Sequence, residues 1–374
     1  MPPGVGVDSP DTREEAPLAI VPTLRMRPLF EFNAPSRALV TGGAGFIGAA
    51  LCERLVAGGA EVHALDDLSA GWAGRLSEGD RLVLHSLDVG RTEDVARVLF
   101  EAGPFDVVYH LAARVGVRVV LEDPEAARRV NEDATAGLLA ALQMLPRAER
   151  PRLFAASSSE VYRDAFAPLV EGAPVRSVRG VGRWAYAASK LRGEQFLDGA
   201  RELWPRGAGP VHLRFFNVVG PGQDSAAGFV LPRFVEAARA GAALTVHGDG
   251  SSVRTFAHVD EVAETLARLA CHPAVPEGPL NVGGVARASV LELARAVADV
   301  SRESVEVRRV DPREELGPGF EDVRVRLPHL GRLGALGCGV PSMELGEIVA
   351  DTYERHETSR AIDDGGAACA SRAS

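Results

Sequence analysis

Short apolar runs alternate with stretches of helical periodicity along most of the chain from residue 36 to residue 216. The helical stretches include 46–57, 124–144 and one that carries Tyr186 and Lys190. Strands that alternate with helices are typical of a parallel sheet with helices on both faces. The pattern predicts an α/β fold with a Rossmann-type, doubly wound parallel sheet, whose strands are expected at 37–41, 61–66, 81–87, 106–111, 152–157 and 211–216.

The pattern changes beyond about residue 205, where glycine- and proline-rich loops separate shorter elements, including helices near 229–240 and 288–300. We therefore predict a Rossmann domain over 36–205. A smaller, mainly substrate-binding C-terminal domain is expected over 206–356, with some segments that return to the Rossmann domain and the rest laid over the carboxyl ends of the strands. Residues 1–35 carry scattered prolines and predict a loose extension, and 357–374 predict a flexible tail.

A glycine-rich motif, TGGAGFIG at 41–48, joins the first predicted strand to the first predicted helix. In this position Gly42 suits a tight turn, Gly45 lets the backbone approach a pyrophosphate, and Gly48 lets the helix pack on the strand. The helix N-terminus adds unpaired N–H donors for the same diphosphate. We expect these glycines to bind a dinucleotide, together with Phe46 and Ile47.

The second predicted strand ends at Asp66, which follows Gly42 by 24 residues. An acidic side chain at this place accepts a hydrogen bond from the ribose 2′-hydroxyl and repels a 2′-phosphate. The cofactor is therefore expected to be NAD, not NADP. Asp88 and Val89 follow the third predicted strand and are expected to meet the adenine.

Lys190 is the only lysine among 41 basic residues, and it follows Tyr186 by four positions. A lysine is a compact point charge, whereas arginine is a wide planar fork, so Lys190 marks a position where arginine would not serve. A nearby ammonium favours the phenolate form of a tyrosine, which is otherwise a poor base at neutral pH. The plain alternative is a surface lysine that pairs with Glu194 at i+4.

Charge and composition narrow the classes of partner. The formal net charge of −10, without any basic tract, argues against nucleic acid. The four cysteines are far apart in the sequence and predict free thiols in a reducing compartment, with no disulfide set and no metal site. No apolar run approaches the ~18 residues of a membrane span, and the N-terminus has no pattern of a secretion signal. We therefore expect a cytoplasmic protein without a membrane partner.

Several motifs occur together in an order that resembles one family. They are TGGAGFIG at 41, DDLS at 66, HLAA at 110, SSSEVY at 157, YAASK at 186, RFFNVVGPGQ at 214, GDGSSVRTF at 248, GPGFED at 317 and Arg326-x-Pro328. With these motifs, the chain resembles the extended short-chain dehydrogenase/reductases that modify nucleotide sugars. The resemblance covers about residues 36 to 355.

This resemblance implies an NAD-dependent nucleotide-sugar epimerase/dehydratase, expected to be a homodimer, that acts on a UDP- or dTDP-hexose. It implies oxidation of C4 to a ketone and regeneration of the cofactor. Tyr186 would be the base, Lys190 would hold the nicotinamide ribose, and Ser158 would hydrogen-bond the reacting oxygen. Further residues implied for the cofactor are Asp67, Ser69, Leu111, Ala112, Ala113, Tyr186 and Phe216. Those implied for the substrate are Arg114, Ser159, Asn217, Arg254 and Arg326.

Glu160 leaves the reaction after C4 oxidation open. Epimerases that act only at C4 usually carry a small or hydroxyl residue here, whereas a glutamate is placed to act at C5 or C6. The pair Ser159-Glu160 resembles UDP-glucuronate decarboxylases and GDP-mannose dehydratases, while the loop at 113–117 looks more like that of epimerases. Glu160 is therefore a candidate catalytic residue for dehydration. The alternatives are a decarboxylase, a plain 4-epimerase and, more remotely, a non-catalytic NAD-binding regulatory protein.

Overall fold

The computed structural model describes residues 35–77, 79–165, 168–313 and 323–356. The predicted extension, apart from its last residue, and the predicted tail lie outside the described residues, as does the GPGFED motif at 317–322. The strands are β1 (Arg37–Thr41), β2 (Glu61–Asp66), β3 (Leu82–Ser86), β4 (Val107–His110), β5 (Arg152–Ser158), β6 (Val211–Phe215), β7 (Val218–Val219), β8 (Leu244–His247), β9 (Val253–His258), β10 (Gly278–Val282), β11 (Ala286–Ser289), β12 (Val307–Val310) and β13 (Val325–Arg326).

Seven strands form one parallel sheet in the order β10-β6-β5-β4-β1-β2-β3. This arrangement confirms the predicted doubly wound parallel sheet. The strand β4 is buried along its whole length, because a sheet with helices on both faces exposes neither side. Thr41 at the end of β1 pairs with Leu65 in β2 and with His110 in β4, so the carboxyl ends of three strands meet at one edge. The chain order reverses between β1 and β4, and ligands of such sheets bind at this switch point.

The helices are α1 (Phe46–Ala57), α2 (Thr92–Glu101), α3 (Val117–Glu122), α4 (Pro124–Gln143), α5 (Ala185–Gly199), α6 (Val230–Arg239), α7 (Val259–Cys271) and α8 (Val290–Val300). Two further helices cover Gly331–Ala335 and 345–356.

The start of α4 shows how local chemistry sets a helix boundary. Asp123 accepts a hydrogen bond from the backbone N–H of Ala126 at 2.9 Å, and Pro124 occupies the first turn, where it needs no N–H partner.

Residues beyond 205 divide between two layers. The strands β6 and β10 complete the large sheet, and α7 packs beside α1 in the apolar core on one of its faces. The remaining elements build smaller sheets: β9 pairs with β7, β11 and β13, and β12 pairs with β8. A separate apolar core under α6 and α8 holds them together. The helices predicted near 229–240 and 288–300 are confirmed as α6 and α8.

Within the described ranges, no helix is long and apolar enough to cross a membrane. The same part of the chain has no group of three or more His, Cys, Asp or Glu side chains placed to hold a metal ion. Its three cysteines, Cys52, Cys271 and Cys338, are all free thiols.

Candidate active site

The glycine-rich loop after β1 has a geometry that only glycine permits at two positions. Gly42 has a φ of +70°, and a Cβ there would lie 2.6 Å from the backbone nitrogen of Ala112. A Cβ on Gly48 would overlap the carbonyl oxygen of Gly42. The loop therefore lies directly against the end of β4 on one side and the first turn of α1 on the other.

The start of α1 fits a diphosphate. Its N-cap residue is Gly45, which has no side chain to cap the helix, so the first-turn N–H groups of Phe46 and Ile47 are not bonded by a capping side chain. These donors and the positive end of the helix dipole suit an anion. Leu111, Ala112 and Ala113 follow β4 beside this loop, where the backbone of Leu111 donates to the carbonyl of Thr41 at 3.0 Å.

Asp66 is buried at the end of β2 and orders the loops around it. Its carboxylate accepts from the backbone N–H of Ala44 at 3.0 Å and of Leu68 at 2.9 Å. Burial raises the pKa of Asp66, and these two hydrogen bonds oppose the rise. Asp67 accepts from both the N–H and the hydroxyl of Ser69 in an exposed turn. The acceptor set at this edge suits a ribose diol.

Three other residues predicted for the cofactor differ in exposure. Asp88 is exposed and accepts from the N–H of Gly90 at 2.8 Å, while Val89 is buried. Phe216 has a fully buried side chain that packs 6.2 Å from the ring of Tyr162, centroid to centroid. The assignment of Phe216 to the cofactor stays a prediction.

Ser158, Tyr186 and Lys190 come together at the carboxyl edge of the sheet. Ser158 ends β5, and the two other residues lie one turn apart on the same face of α5. Ser158 lies close enough to the Tyr186 hydroxyl to lower the pKa of Tyr186. The Lys190 ammonium lies 6.0 Å from the centroid of the Tyr186 ring. This arrangement suits proton transfer from a hydroxyl held by Ser158 to Tyr186.

Burial controls the protonation of this group. It raises the pKa of Tyr186, and the negative charge of Glu160 raises it further. Burial also lowers the pKa of Lys190 to about 8. The neighbouring His110 is buried, and burial together with the charge of Lys190 lowers its pKa to about 3, so its imidazole is neutral. Without another positive charge, Tyr186 is therefore a neutral phenol at pH 7.

The alternative in which Lys190 is a surface lysine paired with Glu194 is wrong. Lys190 is only 8% exposed. Glu194 instead forms a bidentate ion pair with Arg214 and accepts from the hydroxyl of Ser157 at 2.5 Å. Its carboxylate therefore joins α5 to β5 and β6.

Glu160 lies between two guanidinium groups. Arg183 makes two hydrogen bonds to its carboxylate, at 2.8 and 3.0 Å, and Arg326 makes one at 3.3 Å. Burial alone would raise the pKa of Glu160, but the charges and hydrogen bonds of Arg326 and Arg183 lower it to about 2. The side chain, 13% exposed, is therefore a fixed carboxylate at neutral pH.

The other residues predicted for the substrate are spread around this pair. Arg254 lies beside Arg326 in the register of β9 and β13 and donates to the carbonyl of Val253 at 2.9 Å. Asn217 has a φ of +22° and donates to the carbonyl of Thr255 at 2.9 Å. Ser159 is buried next to Glu160 in the sequence, whereas Arg114 is exposed beyond the end of β4. The structure thus brings Arg326 and Glu160 together with Tyr186, whose pKa responds to both charges.

Sequence reasoning missed two residues of the site. Arg183 precedes Tyr186 by three positions, and among so many arginines nothing in the sequence sets it apart. Asn131 on α4 is buried, donates to the hydroxyl of Ser189 at 3.0 Å and accepts from the N–H of Arg114 at 2.7 Å. A lone asparagine inside a helical pattern was its only signal, because a buried amide needs such partners.

Comparison with known proteins identifies the family. A model of the NAD dependent epimerase/dehydratase family matches residues 38–283. The UDP-glucose 4-epimerase of Mycolicibacterium smegmatis is 34% identical over 325 residues, covering 85% of this chain and 97% of that protein. A UDP-N-acetyl-alpha-D-glucosaminuronate decarboxylase of Bacillus cytotoxicus is 31% identical over 305 residues, covering 79% and 90%.

A solved structure agrees with these relatives. The Thermus thermophilus UDP-glucose 4-epimerase in complex with NAD superposes with a TM-score of 0.73 at 32% identity, and the match covers 86% of this chain and 99% of that one. The family and the glycine-loop geometry together confirm the predicted cofactor. The chain therefore belongs to the NAD-dependent epimerase/dehydratase family, and it is an enzyme that uses NAD.

Proposed function

We propose that the enzyme oxidises the C4 hydroxyl of a nucleotide-activated hexose, with UDP as the first expectation for the nucleotide and dTDP as the second. The grouping of Ser158, Tyr186 and Lys190 carries this proposal. A protein that only sensed NAD would not need a hydroxyl donor, a phenol and a buried ammonium in one cleft. Arg254 and Arg326 supply guanidinium groups suited to oxyanions of the nucleotide.

In the proposed mechanism, Ser158 holds the sugar hydroxyl and Tyr186 accepts its proton. NAD, which the glycine-rich loop and Asp66 would hold, would supply a reversible hydride acceptor. The positive charges of Lys190 and of the cofactor favour the phenolate, which offsets the opposing effects of burial and of Glu160 on Tyr186. Tyr186 holds the proton while the sugar is a 4-keto species and gives it back when the hydroxyl re-forms.

The state of Glu160 favours 4-epimerisation as the outcome. A carboxylate with a pKa of about 2 is ionised at neutral pH and has no proton to give to a leaving C6 hydroxyl. Its three hydrogen bonds from Arg183 and Arg326 also occupy most of the about four lone-pair sites of the carboxylate and leave it poorly placed to act as a base. Epimerisation at C4 needs neither role, since the keto sugar has only to present its other face to the returning hydride.

Decarboxylation of a nucleotide uronic acid is the second candidate. Arg183 and Arg326 together carry one positive charge more than Glu160 neutralises, which suits a sugar carboxylate, and one relative at 31% identity is a decarboxylase. Loss of carbon dioxide from a 4-keto uronic acid breaks the bond between C5 and the carboxylate and leaves an enolate, which takes up a proton at C5 from solvent, so the step requires no acid from Glu160. The same cleft chemistry therefore supports this reaction when the substrate carries a carboxylate at C5.

Mass spectrometry of products from a panel of UDP- and dTDP-sugars tests the proposal. An isobaric product that separates from the substrate supports epimerisation, and loss of carbon dioxide from a uronic acid supports the second candidate. Loss of water would overturn the assignment made for Glu160. No turnover and no reduced cofactor with any sugar would overturn C4 oxidation itself.

The proposed enzyme is a homodimer joined by the outer faces of α4 and α5. An open groove on this surface is lined by Ala136, Leu139, Ala140, Gln143 and Phe196. Small and apolar side chains on two neighbouring helices suit the self-complementary contact of a two-fold dimer. Light scattering of the wild-type protein and of Leu139→Glu tests this, with a monomeric variant expected.

The free thiols support a reducing compartment such as the cytoplasm.

A further inference from the structure

One side chain bridges the two sides of the cofactor cleft. Arg75 lies in the short turn Ala73–Arg75 after β2. Its guanidinium donates to the carbonyl of Ala44 in the glycine-rich loop at 3.4 Å and to the carbonyl of Gly222 at 3.2 Å. Gly222 follows β7, which belongs to the smaller sheet with β9. Arg75 thus connects the Rossmann layer to the C-terminal layer at the mouth of the glycine-rich loop.

The surroundings of Arg75 lie where the diphosphate of the cofactor is expected. Ala44 directly precedes Gly45, the N-cap of α1, whose first-turn N–H groups suit that diphosphate. The N–H of Trp72 also donates to the Ala44 carbonyl, at 3.2 Å, so the segment that carries Arg75 rests on the loop. The charge of Arg75 is close enough to oppose the rise that burial causes in the pKa of Asp66.

The two hydrogen bonds of Arg75 are weak ones for a guanidinium. Both acceptors are neutral carbonyl oxygens. The 3.2 Å bond to Gly222 is at the long end of the normal range for N–H···O bonds, and the 3.4 Å bond to Ala44 is beyond it. An oxyanion would make a shorter, charge-assisted bond that is roughly twice as strong. A diphosphate at the start of α1 would therefore compete successfully for at least one of these donors.

We propose that Arg75 is a diphosphate-binding latch for NAD. When the cofactor binds, the guanidinium exchanges the Ala44 carbonyl for a diphosphate oxygen and keeps its bond to Gly222. The segment that carries Arg75 then closes over the cofactor and slows its release. This role goes beyond the proposed reaction and rests only on the use of NAD, so it stands whichever sugar is converted.

Binding and release of NAD by the full chain test the latch. Arg75→Gln removes the charge and the fork, and Arg81→Gln is a matched control. Arg81 also donates to a glycine carbonyl, that of Gly59 at 2.6 Å, but on an exposed loop outside the cleft. The measurements are the NAD content of the purified protein, the NAD dissociation rate, and calorimetric affinities for ADP-ribose, which has the diphosphate, and for adenosine, which lacks it.

We expect Arg75→Gln to release NAD about 10- to 100-fold faster, the scale of one lost hydrogen bond to a charged group. Its affinity for ADP-ribose falls by a similar factor, its affinity for adenosine is unchanged, and Arg81→Gln behaves as wild type. The proposal is overturned if Arg75→Gln releases NAD at the wild-type rate. It is also overturned if this variant loses as much affinity for adenosine as for ADP-ribose, or if Arg81→Gln shows the same losses. If Arg75→Gln does not fold, Arg75→Lys decides: faster release than wild type supports the latch, and unchanged release overturns it.

Discussion

Glu194 on α5 and Arg214 on β6 form a buried bidentate ion pair, with Nε–Oε1 at 2.8 Å and Nη2–Oε2 at 2.6 Å. The same carboxylate accepts from Ser157, the neighbour of Ser158. The helix that carries Tyr186 and Lys190 is therefore attached to the strand that carries Ser158. The distance between the phenol and the serine depends on this attachment.

Glu194→Gln is expected to destabilise the protein and to lower turnover. Removal of one partner leaves Arg214 as an uncompensated buried charge, which costs about 3–5 kcal/mol of the free energy of unfolding. Urea unfolding measures this loss. The control is Glu132→Gln, which removes an i,i+4 partner of Arg128 on the surface of α4 and should cost about 0.3–0.5 kcal/mol. A loss of stability in Glu194→Gln no larger than in this control would contradict the structural role of the Glu194–Arg214 ion pair.

Tyr186→Phe should reduce turnover by roughly 10²–10⁴-fold, the scale of a lost general base, with NAD affinity little changed. Steady-state kinetics and calorimetry measure the two effects. Tyr109→Phe is the matched control, since the Tyr109 hydroxyl donates to the carbonyl of Leu266 at 2.6 Å in the core. That variant should lose about 1 kcal/mol of stability and keep its turnover. Near-normal turnover in Tyr186→Phe would remove this residue from the mechanism.

Lys190→Arg should lose activity although arginine serves at every other basic position of the chain. The wide guanidinium does not fit the buried space of a single ammonium, so turnover is expected to fall by about tenfold or more. The reverse exchange, Arg192→Lys on the same helix, is the control. Arg192 lies 5.9 Å from the ring of Phe196, and its replacement should leave turnover near wild type. An active Lys190→Arg enzyme would mean that the lone lysine is an accident of composition.

Asp66→Ala should narrow the preference for NAD over NADP. We expect the buried carboxylate to lie beside the 2′-hydroxyl of the adenosine ribose, where a 2′-phosphate would meet a like charge, so its removal should relieve that repulsion. The ratio of the two dissociation constants, measured by calorimetry, should fall by about tenfold. Asp249→Ala, which changes only a similar exposed turn bonded to Ser251, serves as the comparison. Equal affinity of the wild-type protein for both cofactors would contradict the role of Asp66.

Glu160→Gln separates the possible reactions. In a 4-epimerase this variant should keep product formation within about tenfold of wild type, because Ser158, Tyr186 and Lys190 are unchanged. A residue that acts at C5 or C6 would behave differently. Reduced cofactor and a 4-keto sugar would then accumulate while the final product fell by roughly 10²-fold. Product analysis by mass spectrometry distinguishes the two outcomes.

The stability of the wild type relative to Glu160→Gln should depend on pH in a defined window. The folded-state pKa of Glu160, about 2, is below its ordinary value of 4.5. The stabilisation from its ionised form, about 3 kcal/mol for that shift, is therefore fully present above about pH 4.5. It is lost as the pH falls toward 2. Wild type and Glu160→Gln should converge in acid unfolding, and a constant difference between them would contradict the ion pairing.

Much of the fold and part of the site could be predicted from local patterns. The strands of the large sheet are short apolar runs because both faces are buried, and Tyr186 and Lys190 share a face because they are one helical turn apart. The partners of Glu160 could not be predicted in this way. Arg183 is 23 positions away, and Arg326 lies in the two-residue strand β13, whose register against β9 arises only from tertiary pairing.

The pairing of Glu160 with Arg326 spans 166 positions, so it also has a consequence for the order of assembly during synthesis. A chain growing on the ribosome has already made β1 to β5, α1 and α5 before Arg326 leaves the exit tunnel. Domains form from the N-terminal end as synthesis proceeds. The half of the cleft that receives the dinucleotide can therefore mature first, while Glu160 still awaits one of its two cations. The proposed sugar side of the cleft is therefore completed later, once Arg326 has been made.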